Sequence, residues 1–147
     1  MTGYDYSSKS IDLSTKIHSK TNIKFQQVDI LSDISDDSDK DIAFDVLLDK
    51  GTYDAIALMP NTDIEDSRAK YRRFLARKLS PNGRFLLMSC NFTQIELEKF
   101  LLFSPEDSAT KFNDSLRLDK EFVFDMPKIQ FGGVVGQQVV GIVFKRI

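Results

Sequence analysis

Residues 44–58 read FDVLLDKGTYDAIAL, and this stretch decides the fold class. Its first half is a short apolar run that ends at Asp49, which predicts a strand buried on both faces. A turn at Gly51 follows, and the residues from Thr52 to Leu58 can form a helical turn before Pro60 interrupts it. A strand that is buried on both faces is typical of a parallel sheet that helices cover.

The flanking sequence repeats this alternation of strands and helices. The predicted upstream elements are a strand ending at Tyr6, a helix from Ser7 or Ser8 to about Ser19, and a strand over Ile23–Val28. The predicted downstream elements are a helix over Ile64–Leu79, a strand over Gly83–Ser89, a helix opened by the capping box of Thr93 and Glu96, and strands over Leu118–Asp125 and Val139–Phe144. The last two strands have no helix between them, so we expect a mostly parallel α/β sheet with a C-terminal antiparallel hairpin.

Composition narrows the class of protein further. The chain has 147 residues, of which 41% are hydrophobic and 12 are Phe, so one domain with a sizeable core is expected. A net charge of −2 gives no electrostatic basis for binding nucleic acid, and no apolar run approaches the roughly 20 residues that span a membrane. The first ten residues do not read as a signal peptide, and the single cysteine suits a reducing compartment. We therefore expect a soluble, cytoplasmic protein.

Metal sites and nucleophilic sites find little support in the sequence. His18 has no acid or nucleophile pattern beside it, and one His with one Cys cannot supply a zinc site. The acid-rich segment 31–41 lacks the glycine and the terminal glutamate of a calcium loop, so we expect a solvated loop and no metal. Cys90 ends an apolar strand and is expected to lie in the core. The basic face of the helix over Ile64–Leu79 is expected to be solvated or, alternatively, to dock an acidic protein.

Three of the predicted strands end in an acid. The spacing between Asp5, Asp29 and Asp49 is close to the length of one strand–helix unit, so we expect the three to share one edge of the sheet. A carboxylate at that edge can accept hydrogen bonds from both hydroxyls of a ribose, as in dinucleotide sites. The Gly-rich turn of such sites is missing, so the residues alone leave nicotinamide, adenosine or no nucleotide open.

Five segments carry a resemblance to a known family: GYDYSSKSI (3–11), VDIL (28–31), LLDKGTYDAIAL (47–58), LMSCNFTQIEL (87–97) and PKIQFGGVVG (127–136). Together they resemble the seven-strand, S-adenosylmethionine-dependent protein-lysine methyltransferases that act on translation elongation factor 1-alpha. The DKGTYDA motif is shared by several related methyltransferases, whereas SCNFT and the QFGG hairpin narrow the match to the elongation-factor branch. The resemblance covers nearly the whole chain and implies a Rossmann-like class I methyltransferase fold, S-adenosylmethionine as cofactor and a protein lysine as methyl acceptor.

The resemblance also implies roles for individual residues. Asp5 would bind the cofactor ribose with Tyr6 beside it, and Asp29 and Ile30 would lie near the adenine ring. Asp49 would lie beside the methyl donor and the incoming lysine, where it orients the amine and the cofactor rather than serving as an essential base. The remaining implied contacts are Lys50 and Gly51 with the cofactor and Thr52, Asn91 and Phe92 with the substrate.

The start of the chain departs from this family. The family begins with a strand and a Gly-rich loop that wraps the methionine part of the cofactor, and the sequence shows neither. We therefore expect residues 1–147 to form a single but incomplete methyltransferase domain, truncated at the N-terminus. Two alternatives remain: a catalytically silent module that only binds a protein partner, and a different nucleotide-binding enzyme such as a nicotinamide oxidoreductase.

Overall fold

The computed structural model describes residues 1–32, 43–60, 63–102, 116–131 and 134–147. These residues belong to two compact units, Met1–Ser35 and Asp36–Ile147, and each unit is described by itself. Residues 33–41 of the predicted acidic loop, the polar segment 104–115 and the Gly132-Gly133 pair lie outside the described residues. No helix in the described ranges is long and apolar enough to cross a membrane.

The first unit is a strand–helix–strand unit. It consists of β1 (Thr2–Asp5), α1 (Ser8–Ile17) and β2 (Lys24–Gln27). Ser7 caps the helix, because its hydroxyl accepts a hydrogen bond from the N–H of Ser10. The two strands are parallel neighbours, with Asp5 opposite Gln27 at the end of the ladder. Their carboxyl ends therefore lie side by side at one edge of this small sheet.

The second unit contains a four-stranded sheet with the strand order β3-β4-β8-β5. Its elements are β3 (Phe44–Lys50), α2 (Thr52–Ala57), α3 (Ile64–Lys78), β4 (Leu79–Ser89), α4 (Gln94–Leu101), β5 (Leu118–Val123), β6 (Lys128–Phe131), β7 (Val134–Gln137) and β8 (Val140–Arg146). Strands β3 and β4 are parallel, whereas β8 runs antiparallel to both β4 and β5. The predicted C-terminal antiparallel pairing is confirmed, and a small ribbon of β6 and β7 occupies part of the connection between β5 and β8.

The core of the second unit lies between one face of this sheet and its helices. Phe85, Leu87, Ile142 and Phe144 are all buried on that face. From α3, the ring of Tyr71 contacts the ring of Phe85, with the ring centroids 6.4 Å apart. Aromatic rings from α2 and α4 also pack against each other here, so large planar side chains form much of the contact between helices and sheet.

The prediction that β3 is buried on both faces is wrong. Val46 is 55% exposed and Leu48 is 68% exposed, whereas Asp49 on the opposite face is buried. Side chains alternate between the two faces of a strand, and the helices described for this unit cover the face that includes Asp49. An apolar run identifies a strand, but it does not show which of its faces is covered.

The prediction of a solvated basic face on α3 is wrong for two of its residues, whereas Arg73 is exposed as predicted. Arg72 and Lys78 are buried, with exposed fractions of 3% and 5%. The guanidinium of Arg72 donates hydrogen bonds to the carbonyl oxygens of Phe100, Leu101 and Leu116, and so ties α4 to the segment before β5. Other basic residues of this helix pair with acids one turn earlier: Arg68 with Glu65 and Lys70 with Asp66.

Candidate active site

The carboxyl end of β1 presents a carboxylate with unused acceptor capacity. Asp5 is half-buried, and its Oδ1 accepts a hydrogen bond from the N–H of Ser7 at 2.8 Å. Its Oδ2 has no hydrogen-bond partner in the part of the chain that the structure describes. Tyr6 beside it is 77% exposed, and its carbonyl oxygen accepts a bond from the side-chain amide of Gln27 at 2.9 Å. This strand end can therefore accept a hydrogen bond from a ligand hydroxyl.

Asp29 lies just beyond the end of the neighbouring strand. The N–H of Val28 donates to the carbonyl oxygen of Asp5 at 2.9 Å, which continues the strand pairing past the end of β2. The exposed carboxylate of Asp29 accepts the N–H of Leu31 at 2.9 Å, an arrangement that shapes the following turn. Ile30 is half-buried. The structure therefore brings two of the three predicted acids, Asp5 and Asp29, to one edge of the first unit.

Asp49, the third acid, lies at the carboxyl end of β3 in the second unit and is used internally. It is 7% exposed. Its Oδ1 accepts the N–H of Thr52 at 2.7 Å, and its Oδ2 accepts both the N–H of Tyr53 at 3.0 Å and the hydroxyl of Tyr71 at 2.5 Å. Gly51 occupies the N-cap position of α2 in the left-handed region, with φ of 87°, and has no side chain to cap the helix. Asp49 therefore supplies the capping oxygens.

Tyr71 fixes the carboxylate of Asp49 from the side of the core. Burial is the main cause that raises the pKa of Tyr71 well above its usual value, and the negative charge of Asp49 raises this pKa further. The hydroxyl consequently stays protonated and remains a hydrogen-bond donor near neutral pH. Three donors thus occupy most of the acceptor positions of Asp49, which leaves it poorly placed to take a proton from a substrate.

A second buried acid lies in α2 and forms hydrogen bonds with residues at the end of β4. Asp54 is 6% exposed, and its Oδ1 accepts the hydroxyl of Ser89 at 2.6 Å while its Oδ2 accepts the N–H of Cys90 at 2.9 Å. The hydroxyl oxygen of Ser89 accepts the N–H groups of Asn91 at 3.2 Å and Phe92 at 3.0 Å. Sequence analysis missed both Asp54 and Ser89. The available signal was an acid inside the otherwise apolar helix of the DKGTYDA motif.

The predicted substrate residues meet at the same edge of the second unit as Asp49. Asn91 is exposed and Phe92 is half-buried, and both follow the end of β4, the parallel neighbour of β3. The ring of Phe92 lies 5.2 Å from the ring of Tyr53, centroid to centroid. Thr52 and Lys50 are exposed on the adjoining turn.

The predicted core position of Cys90 is wrong, because the thiol is exposed. Cys90 is the first residue after β4, which ends at Ser89, and so belongs to the edge of the sheet rather than to its interior.

A comparison of the sequence with protein families shows which family the chain belongs to. Residues 1–130 match the family model described as a methyltransferase domain. The chain belongs to the methyltransferase domain family. The Rossmann-like α/β fold, with parallel strands and antiparallel strands near the C-terminus, is that of class I methyltransferases.

Curated relatives of this methyltransferase chain match it from end to end. It is 36% identical to human EEF1A lysine methyltransferase 2 over 150 residues, which cover 100% of this chain and 56% of the human protein. It is 36% identical to the Saccharomyces cerevisiae protein-lysine N-methyltransferase EFM4 over 152 residues, covering 99% of this chain and 59% of that protein. The chain therefore spans a little over half the length of these relatives.

Solved structures agree with the methyltransferase fold at low sequence identity. A TehB-like SAM-dependent methyltransferase from Corynebacterium glutamicum matches with a TM-score of 0.62 at 18% identity, covering 99% of this chain and 67% of that one. N-methyltransferase NodS from Bradyrhizobium japonicum, in complex with S-adenosyl-L-homocysteine, matches with a TM-score of 0.57 at 14% identity, covering 99% of this chain and 65% of that one. These two matches concern the fold alone.

Proposed function

We propose that this chain carries the cofactor-binding and substrate-binding edges of a protein-lysine methyltransferase, and that its substrate is translation elongation factor 1-alpha. The observation that supports this most is the end-to-end similarity to proteins named EEF1A lysine methyltransferase 2, at 36% identity for the human protein and 34% for the zebrafish protein. The DKGTYDA motif adds to it, because both of its acids hold the backbone of strand-end turns. The place of action is the cytoplasm, where a reducing compartment suits the free thiol of Cys90.

The cofactor that we propose is S-adenosyl-L-methionine, and the residues of the first unit fit its adenosyl part. Asp5 has an unused carboxylate oxygen that can accept hydrogen bonds from ribose hydroxyls, and the exposed side chain of Tyr6 adjoins it. Asp29 and Ile30, at the neighbouring strand end, are proposed to lie beside the adenine ring. For the second unit, taken by itself, the turn of Asp49, Lys50 and Gly51 is proposed to lie beside the methyl donor and the incoming lysine.

When bound, S-adenosyl-L-methionine supplies an electrophilic methyl group on a sulfonium. This methyl group would pass to a neutral lysine amine: the nitrogen lone pair would form the new nitrogen–carbon bond, and the sulfur would keep the electrons of the broken sulfur–carbon bond and leave as the thioether of S-adenosyl-L-homocysteine. The excess proton on nitrogen would pass to solvent. Deprotonating a lysine with an ordinary pKa of about 10.4 costs roughly 4–5 kcal/mol at pH 7. An apolar surrounding disfavours the ammonium form and lowers this cost. The ring of Phe92 is proposed to contribute to this apolar surrounding.

Asp49 is proposed to hold the turn that follows β3 rather than to accept a proton as a base. Its carboxylate holds the N–H groups of Thr52 and Tyr53 and is itself held by Tyr71. The turn that carries Lys50, Gly51 and Thr52 is therefore set before any ligand arrives, and orientation of reacting groups is a large part of rate enhancement. Thr52 and Asn91 are proposed to hold the lysine-bearing segment of the substrate.

The alternative of a silent module that binds a partner through the basic face of α3 is not favoured. Arg72 and Lys78 are buried, and Arg68 and Lys70 pair with acids of the same helix. Among the basic residues of α3, all of which the structure describes, only Arg73 is exposed, and a single exposed charge is a weak basis for binding an acidic partner.

The proposal is tested by measuring both binding and transfer with the purified protein. We expect calorimetry to show binding of S-adenosyl-L-homocysteine, and mass spectrometry to show a methylated lysine on elongation factor 1-alpha after incubation with S-adenosyl-L-methionine. A folded protein that binds a nicotinamide dinucleotide instead, or that binds no cofactor, would overturn the proposal.

A further inference from the structure

The turn after β4 is held by a carboxylate–hydroxyl pair that lies almost completely out of solvent. Ser89 is 0% exposed and Asp54 is 6% exposed. The hydroxyl hydrogen of Ser89 is directed to Asp54, since the hydroxyl donates to its Oδ1 at 2.6 Å. This leaves the lone pairs of the Ser89 hydroxyl oxygen for the N–H groups of Asn91 and Phe92.

The same pair holds every N–H group in the first three residues of the turn. The second carboxylate oxygen of Asp54 accepts the N–H of Cys90 at 2.9 Å, and Ser89 accepts the next two. The backbone N–H groups of a turn need acceptors, which either side chains or water can supply. Here the acceptors are internal to the protein, so the course of the backbone from Cys90 to Phe92 is determined by side chains of α2 and β4.

The pair also connects the two strand ends that adjoin in the second unit. Helix α2 begins under the carboxylate of Asp49, which accepts the N–H of Tyr53, and the next residue of the helix is Asp54. The ring of Tyr53 contacts the ring of Phe92. A displacement of the turn at the end of β3 would therefore be transmitted through α2 to the turn at the end of β4.

We propose that Asp54 and Ser89 are positioning residues for the protein substrate. They do not touch the substrate; they fix Asn91 and Phe92 at the carboxyl end of β4, where ligands of parallel α/β sheets bind. This inference rests on the proposed function. The pair accepts three N–H groups that an apolar pair of the same volume would leave without an acceptor, and it thereby imposes one arrangement on the turn.

The experiment compares Ser89→Ala with Ser67→Ala, which removes an equally buried hydroxyl, 2% exposed, from α3. For Ser89→Ala we expect kcat/KM for the protein substrate to fall about tenfold, mainly through KM, because Asn91 and Phe92 lose their fixed position. The affinity for S-adenosyl-L-homocysteine should not change. Ser67→Ala should leave both quantities at the level of the unsubstituted protein, and Asp54→Asn, which keeps one acceptor oxygen, should fall between the two serine variants.

A second readout separates a local displacement from a general loss of stability. Hydrogen exchange at the amides of Asn91 and Phe92 should accelerate in Ser89→Ala, while exchange in α3 and β8 stays as it was. The inference is overturned if KM for the protein substrate is unchanged in Ser89→Ala, or if substrate and cofactor affinities fall together. If the unsubstituted protein binds no cofactor and transfers no methyl group, the proposed function itself fails, and this inference fails with it.

Discussion

Asp5 and Asp49 occupy equivalent positions at the carboxyl ends of parallel strands, yet their carboxylates are used in different ways. Asp49 is buried and accepts three hydrogen bonds from its own chain, whereas Asp5 is half-buried and accepts one. The difference follows from the next helix. Helix α1 has its own cap in Ser7, but α2 begins after Gly51, which has no side chain, so the strand-end acid caps it. The capping of the following helix thus decides which acid is free for a ligand.

The largest expected effect is on stability, from Asp49→Ala. The substitution leaves the buried hydroxyl of Tyr71 and the N–H of Tyr53 without an acceptor, and each such group costs about 1–3 kcal/mol. We therefore expect the free energy of unfolding, measured in urea, to fall by about 3 kcal/mol. Asp45→Ala, an exposed acid on the same strand, is the control and should have little effect. An unchanged urea midpoint for Asp49→Ala would remove the distinction between the two acids.

The opposite pattern is expected for Asp5→Ala. The substitution removes one hydrogen bond, from the N–H of Ser7, so the free energy of unfolding should change little. Binding of S-adenosyl-L-homocysteine should weaken about tenfold or more, because hydrogen bonds to a charged group contribute about 1.5–3 kcal/mol. Titration calorimetry measures the effect. Asp12→Ala, which removes an exposed acid from α1, serves as the control. Equal affinities in the two variants would show that Asp5 does not bind the cofactor.

The Tyr71 hydroxyl offers a test by pH. The folded-state pKa of Tyr71 is raised above the ordinary value of 10.0, so the folded protein holds this proton more tightly than the unfolded chain does. The resulting stability is fully present below about pH 10 and is lost as the pH rises further. The decline should appear when the free energy of unfolding in urea is measured from about pH 9 to about pH 11, which is roughly one pH unit on either side of the ordinary tyrosine pKa. Tyr71→Phe should be less stable by about 1 kcal/mol at neutral pH, and its decline should be shallower.

The smallest expected effect concerns the cap of α1. Ser7→Ala removes the acceptor for the N–H of Ser10 and should lower the free energy of unfolding by about 0.5–1 kcal/mol. Ser8→Ala, at the exposed first residue of the helix, is the matched control. Equal urea midpoints for the two variants would mean that Ser7 is not the cap that leaves Asp5 free.

Local signals in the sequence predicted much of this structure. The capping box of Thr93 and Glu96 was predicted from four adjacent residues and is present, because all of its partners lie within one turn. The strand ends at Asp5 and Asp29 were predicted from the alternation of strands and helices, and the parallel pairing of β1 with β2 brings them together. The assignment of cofactor contacts to these acids stays a prediction.

Features that depend on distant contacts were not predicted. Arg72 looks like a surface residue in the sequence, and only the folding of the segments at Phe100 and Leu116 onto α3 provides the carbonyl groups that allow its burial. The bond between Asp54 and Ser89 joins residues 35 positions apart. The exposure of Val46 and Leu48 likewise depends on which face the helices cover, which an apolar run does not specify.

The positive φ of Gly51 determines which stereoisomer of a residue the position can accept. The space around it is open, since a β-carbon built there would meet no atom within 4 Å, yet its φ of 87° disfavours every L side chain. The position therefore selects chirality rather than volume. A D residue adopts this φ without backbone strain, whereas L-alanine at the same position should be strained at the turn between β3 and α2.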